Sequence, residues 1–240
     1  VPAPAPPLPP PASSTDAFAA RFIARTLAKD EWTHAAHITV GTWHVYHHGG
    51  DEALPLLRAR IRALNEALGG LNTATGGYHE TITAAYVTLL AGFLERFAGD
   101  LPLGPALARV KASPLLDREV LLRFYSRERL CSMEARAGWV EPDLQPLDIA
   151  RLYGGEFAAT LFRHQGTGGW VFAPVPDGCA PPGTHGWGRI PVMATVDGHT
   201  WPTSVWRGTD GRTLLAVPKR VRSHKDDGDT VQVRLSFEER

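Results

Sequence analysis

Between Asp16 and about Met133 the apolar residues recur every three or four positions, the spacing of helices that each bury one face. Phe18, Phe22, Ile23 and Leu27 form a first stripe. Asp30 stands where an N-cap is wanted for a second helix, running from Glu31 to about Tyr46 and stopped by Gly49-Gly50. Leu54, Leu57, Ile61, Leu64 and Leu68 predict a third helix that ends at Gly69-Gly70. After the loop LNTATGGYHET, a fourth carries Ile82, Tyr86, Leu89, Leu90, Phe93 and Phe97. Further helices are predicted over 103–112 and 117–129, parted by Ser113-Pro114. Connections this short make neighbouring helices antiparallel, as in an all-α bundle.

At Gly138 the period changes. GWVEPDLQPLD, with Pro142 and Pro146, cannot continue a helix and reads as a linker over 138–155. Beyond it come short runs of β character: EFAATLF, GWVFAPV, RIPVMATV, HTWPTSVW, TLLAVP and DTVQVRLSF. The last alternates, with Val231, Val233, Leu235 and Phe237 on one face and Gln232, Arg234 and Ser236 on the other. VDG and TDGR supply hairpin turns. So many short strands must pair or close their edges, which predicts a small β-barrel. The fold class is multidomain α + β: a disordered proline-rich tail over 1–15, an N-terminal all-α helical bundle over 16–137, the linker, and a small C-terminal β-barrel over 156–240.

GTGGWVFAPVP, GWGRIPVMATVDGHTWPTSVW, LLAVPKRVR and GDTVQVRL occur in that order. Through them, residues 156–236 resemble the uncharacterised bacterial domain family numbered 1905. That resemblance implies a double-split β-barrel and supplies no activity. WTHxAH, at Trp32 to His37, and NTxxxGYHETIT, at Asn72 to Thr83, resemble a family of uncharacterised bacterial proteins to which no chemistry is attached.

Composition narrows the class. The chain of 240 residues is 43% hydrophobic and 21% charged, as in a soluble globular protein. Lys and Arg number 25 and Asp and Glu 25, so no global field draws the chain to polyanions. Cys131 and Cys179 stand far apart without a CxxC pair, which argues against a disulfide framework and fits a reducing, cytoplasmic setting. AAYVTLLAGFL, at 84–94, falls short of the roughly 20 apolar residues that span a bilayer. The opening VPAPAPPLPPPASST lacks the basic and apolar order of an intact secretory signal and reads as a tether.

The candidate chemistry is histidine. EWTHAAHITVGTWHVYHHGG holds five of the ten histidines. On a helix His34 and His37 lie about 60° apart, with His44 close to the direction of His37. If the second and fourth helices pack together, His34, His37 and His79 form a candidate metal site for zinc, iron or manganese. Glu80 and His79 are the candidate acid/base pair, Arg129 the candidate partner of Glu80 or of an anionic substrate, and Glu31 a substitute carboxylate. Two other readings stand beside this one: a packed aromatic layer in which His34 and His37 sit with Trp32 and Trp43, and a metal-free acid/base site. Asn72, Thr73, Thr75, Gly76, Gly77 and Thr83 make a candidate anion or substrate loop ahead of a helix N-terminus, or else an ordinary turn and cap. Thr83 occupies the place where a zincin would carry its second histidine, and no Lys-Ser/Thr follows Gly76, so neither the zincin nor the Walker motif is present.

In the barrel, PKRVRSHK brings Lys219, Arg220, Arg222 and Lys225 near Trp187, Trp201 and Trp206, but Asp226, Asp227 and Asp229 follow and argue against a nucleic-acid face. The leading expectation is a metal-assisted enzyme acting on a small anionic molecule at the His/Glu site. The alternative is a non-enzymatic ligand-binding or nucleic-acid-binding regulatory protein using the barrel, by analogy of fold with bacterial transition-state regulators. A third is small-ligand sensing in the helical cavity without turnover.

Overall fold

The structure, a computed structural model, describes residues 14–166, 168–182, 189–208 and 210–237; most of the proline-rich head and Trp187 lie outside them. Helices α1 (Ser14–Ile23), α2 (His34–Ala67), α3 (Glu80–Phe97), α4 (Leu103–Lys111), α5 (Arg127–Leu130) and α6 (Met133–Ala137) make up the first region. In α2 the helix is broken at Gly49, whose φ of 72° and ψ of 171° belong to neither neighbouring turn. The left-handed φ suits glycine and reverses the chain. Its two arms therefore fold back on each other, so that Ile38 and Gly41 of the first face the same space as Leu57 and Ile61 of the second. The helix before Gly49 and the helix after it are thus both present, as the glycine pair predicts. α3 closes the third side: a Cβ on Gly41 would stand 2.9 Å from Leu90 Cδ1, and one on Gly50 would stand 3.4 Å from Ala91 Cβ.

Three local expectations are corrected. The cap of α2 is Thr33, not Asp30: its backbone is extended and its side chain accepts from Ala36 N at 3.3 Å. Residues before it are held in a turn by Glu31, which accepts from Ala28 N at 2.8 Å and pairs with Arg21. The single helix expected over 117–129 is instead a set of 3-10 turns at Pro114–Leu116 and Val120–Arg123 followed by α5. Val120, Leu121, Phe124 and Tyr125 are all buried, and the break comes at Ser126, which is extended and whose side chain accepts from Arg129 N at 3.2 Å to cap a fresh start. Finally, the segment 138–155 is no loose linker: Val140, Ile149, Leu152 and Tyr153 sit in the same apolar cluster as Phe22, Leu64 and Phe93.

The second region is one antiparallel sheet of strands β1 (Gly155–Thr160), β2 (Phe162–Arg163), β3 (Val171–Val175), β4 (Arg189–Val196), β5 (His199–Arg207), β6 (Thr213–Ala216) and β7 (Thr230–Ser236), with the short helix α7 (Lys219–Arg222) before β7. The strand order is β1-β7-β4-β5-β6-β3-β2. The two edges, β1 and β2, are separated only by Leu161, so one continuous stretch supplies both and the sheet nearly closes into a barrel. Its interior holds Val192, Ala194, Val196, Val205, Leu215, Val231, Val233 and Leu235, the face that alternation along β7 predicts. Asp197 and Gly198, with φ of 45° and 86°, make the tight β4–β5 turn. Phe237 packs against both apolar clusters and joins the two regions.

Gly154, with φ of 92°, leads into β1 where a Cβ would lie 2.3 Å from the Leu235 carbonyl oxygen. Gly178 has a similar φ of 83° but open space around it. Both substitutions to Ala strain the backbone, and only Gly154→Ala also meets a wall. Denaturant unfolding is expected to show Gly154→Ala at least about 2 kcal/mol less stable than Gly178→Ala; equal losses would mean that the Gly154 contact relaxes freely.

Candidate functional site

The first arm of α2 presents two faces. One carries His37 and His44 toward α1: His37 stacks on Trp32 at 3.9 Å between ring centroids, Trp32 stacks on Phe22, and His44 meets Phe22 edge-on. The other carries His34, Ile38 and Gly41 toward the second arm and α3. Between them is a cavity of about 90 Å³ lined mainly by Ile38, Leu57, Ile61, Ile82, Val87 and Leu90, with His34, His37, Thr83 and Tyr86 as its polar edges.

His44 is fully buried. Its Nδ1 donates to the Val40 carbonyl at 2.6 Å, which leaves Nε2 as an acceptor for the Arg60 guanidinium, also at 2.6 Å. Those two bonds fit only the neutral ring with its proton on Nδ1. Burial, opposed by the bond to Val40 and reinforced by Arg60, lowers its pKa to about 4. His79 is the N-cap of α3: Nδ1 accepts from Ile82 N at 3.3 Å and Nε2 donates to the Leu130 carbonyl at 3.0 Å. Its pKa too is lowered, by burial and then by Arg136. His37 is open to solvent along one edge above a deep apolar mass, which lowers its pKa, with His34 adding to the effect.

His34 differs from these. Its Nε2 is cut off from water and has no hydrogen-bond partner. Burial first, then the charge of Arg118, lowers its pKa, against the pull of the Leu115 and Leu116 backbone. The ring lies edge-on to Tyr86 at 5.6 Å.

The three imidazoles expected to share a metal do not converge. His34 and His37 meet at the cavity, whereas both nitrogens of His79 are spent on capping α3 and holding Leu130. Among the described residues no group of three or more His, Cys, Asp or Glu is arranged to hold a metal ion. Glu80 lies outside the cavity lining and is clamped: Arg58 Nε donates to Oε2 at 2.8 Å, Arg58 Nη2 donates to Oε1, and the Tyr78 hydroxyl donates to Oε2 at 3.1 Å. Arg58 above all holds its pKa down. A carboxylate so satisfied is a poor base. Arg129 is not its partner: its Nε donates to the Glu141 carbonyl at 2.6 Å.

The loop before α3 is likewise occupied with itself. Asn72 makes four hydrogen bonds, accepting from Asn65 Nδ2 and Tyr78 N and donating to the Arg62 carbonyl and Glu66. Thr73 Oγ1 accepts from Thr75 N and Gly76 N, and Gly77 is pressed against Leu71 and Asn72, where its φ is 78°. Thr83 donates to the His79 carbonyl. The amides of Thr73, Thr75, Gly76 and Tyr78 are taken up within the loop, as in a turn and cap, and Thr83 alone of that set reaches the cavity. Sequence reasoning missed Arg58 and Arg60, and took Tyr86 only as a member of an apolar stripe. The signal for Arg60 was there: a hairpin centred on Gly49 sets residues near 60 against those near 40.

With His34, His37, His44 and His79 all held below the ordinary imidazole pKa, the unfolded chain binds more protons than the folded one as pH falls below about 6.5. Stability is then whole above about pH 6.5 and falls toward pH 4, with His44 accounting for on the order of 3 kcal/mol of the loss. Unfolding measured from pH 7.5 to 4 is expected to show this early acid sensitivity, and His44→Gln to flatten its slope by up to about 1.4 kcal/mol per pH unit. An unchanged slope would remove His44 from the account.

Among the described residues no helix is long and apolar enough to cross a membrane. No curated protein matches the chain. Residues 157–235 match the model of a family described as a domain of unknown function, DUF1905. That span is the barrel from β1 to β7, so the barrel is similar in sequence to DUF1905 domains while the helical region with its cavity lies outside the match.

Proposed function

We propose that the helical region binds a small apolar molecule bearing a single hydroxyl, seated among Leu57, Ile61, Val87 and Leu90 with its oxygen on His34 Nε2. The observation that carries this reading is that His34, whose Nε2 is buried without a partner, lines an otherwise apolar cavity. A buried polar atom left without a bond costs about 1–3 kcal/mol, and a ligand that meets it recovers that cost. A hydroxyl both donates and accepts, so it suits the ring whichever nitrogen carries the proton. The cavity volume of about 90 Å³ favours a molecule of a few heavy atoms.

Binding without turnover is favoured over catalysis. Proton transfer would pair the neutral His34 ring with an acid, and His37, the other imidazole at the cavity, is itself held neutral by burial. The Tyr86 phenol is pushed far up by burial, and Glu80 is committed to Arg58. Recognition of nucleic acid by the barrel has less in its favour. Lys225 pairs with Asp197 at 2.7 Å, Arg222 with Asp226 at 3.2 Å, and Arg163 also with Asp226, so much of the basic cluster is neutralised in place.

Isobutanol titrated into the protein is expected to move the His34 Nε2 resonance in ¹⁵N NMR along a saturable curve, with the alcohol recovered unaltered. Gly41→Val, which pushes a side chain at Leu90, is expected to abolish that shift. No saturable change, or the same change in Gly41→Val, contradicts the reading, and consumption of the alcohol would make the site catalytic.

A further inference from the structure

A second polar atom is stranded far from His34. The Tyr153 hydroxyl is buried without a hydrogen-bond partner, on a residue only 6% exposed. Its ring is fixed edge-on to Phe97 at 5.6 Å, and the next residue, Gly154, donates from N to the Cys179 carbonyl at 2.7 Å. Ser113 comes near, but the two hydroxyls do not meet hydrogen-bond geometry. Ser113 Oγ instead donates to the Val110 carbonyl at 2.6 Å and accepts from Leu115 N at 3.2 Å.

Tyr153 lines a cleft of about 730 Å³ where the two regions meet, bounded by α4, the turn at Ser113-Pro114, the turn at Asp177-Gly178 and the end of β5. That volume lies within the range of small-molecule sites. Arg207, the last residue of β5, lines the same cleft and is half-buried. Its Nε donates to Thr213 Oγ1 at 3.3 Å, and it has no ion pair among the described residues. Arg109 adds a second positive charge to the wall while donating to the Phe97 carbonyl. A hydroxyl with a proton to give and a guanidinium with a free edge are what an anionic oxygen needs. Asp177, exposed at the rim, sets the limit, since its negative charge opposes a polymer of phosphates passing through.

We propose that this cleft is a distinct binding site for the carboxylate or phosphate group of a small molecule, with the Tyr153 hydroxyl and the Arg207 guanidinium as its donors. It is separate from the His34 cavity and stands or falls without it.

The test uses the whole chain, sodium phosphate and sodium acetate as probes, and chloride to hold ionic strength constant. Calorimetric titration is expected to give saturable binding of at least one probe, accompanied by a rise in Tm. Phosphate alone saturating assigns a phosphate-bearing ligand, and acetate alone a carboxylate. Tyr153→Phe removes an unsatisfied hydroxyl, so without either probe its Tm should equal or exceed that of the unaltered protein. Both Tyr153→Phe and Arg207→Gln should weaken probe binding by about tenfold or more. Absence of saturable binding by both probes, binding unchanged in the two variants, or a lowered Tm for Tyr153→Phe without probe would each overturn the proposal.

Discussion

A hydrogen-bonding atom removed from water has to find another partner, and in the helical region that demand decides where nearly every polar side chain goes. His44 finds Val40 and Arg60, His79 finds Ile82 and Leu130, Asn72 finds four partners, and Glu80 finds Arg58 and Tyr78. These bonds convert a histidine-rich segment from a reservoir of reactive groups into structural pins. Against that background His34, with its bare Nε2, is an exception, and its side chain lines the room that packing between α2 and α3 leaves.

The room itself follows from backbone geometry. Gly49 folds α2 into two arms, Gly41 lets α3 approach through Leu90, and His34 with Ile38 forms the opposing wall. The same hairpin that makes the cavity also sets Arg60 against His44 and brings Arg58 to the N-terminus of α3, where its charge holds Glu80 ionised. Cavity and pins are thus two results of one reversal. The barrel has its own apolar interior and touches this arrangement through Phe237 and the 138–155 segment.

The fold was largely legible because its signals are local. Helical spacing located α1, both arms of α2, α3 and α4, and alternation with Asp-Gly turns located the strands. Where the pattern misled, capping was the cause: Ser126 is extended and accepts from Arg129 N, so the helix expected over 117–129 is interrupted and restarts there. The site was less legible because it depends on pairings between elements. His34 and His37 do meet at one cavity, as their 60° separation on a helix allows. His79 lies on a helix that packs against theirs, but it is the cap, and the direction of a cap side chain is set by the backbone it must satisfy. Periodicity carries no information about that, nor about Arg58 reaching Glu80 before Arg129 can.

The most direct test of the central claim is a crystal structure of the protein soaked in isobutanol beside an unsoaked control. The account predicts the alcohol oxygen about 3 Å from His34 Nε2, with its methyl groups among Leu57, Ile61 and Leu90. Identical density in the two crystals, or a His34 ring turned to bond the Leu115 carbonyl and leave the cavity wholly apolar, would contradict it.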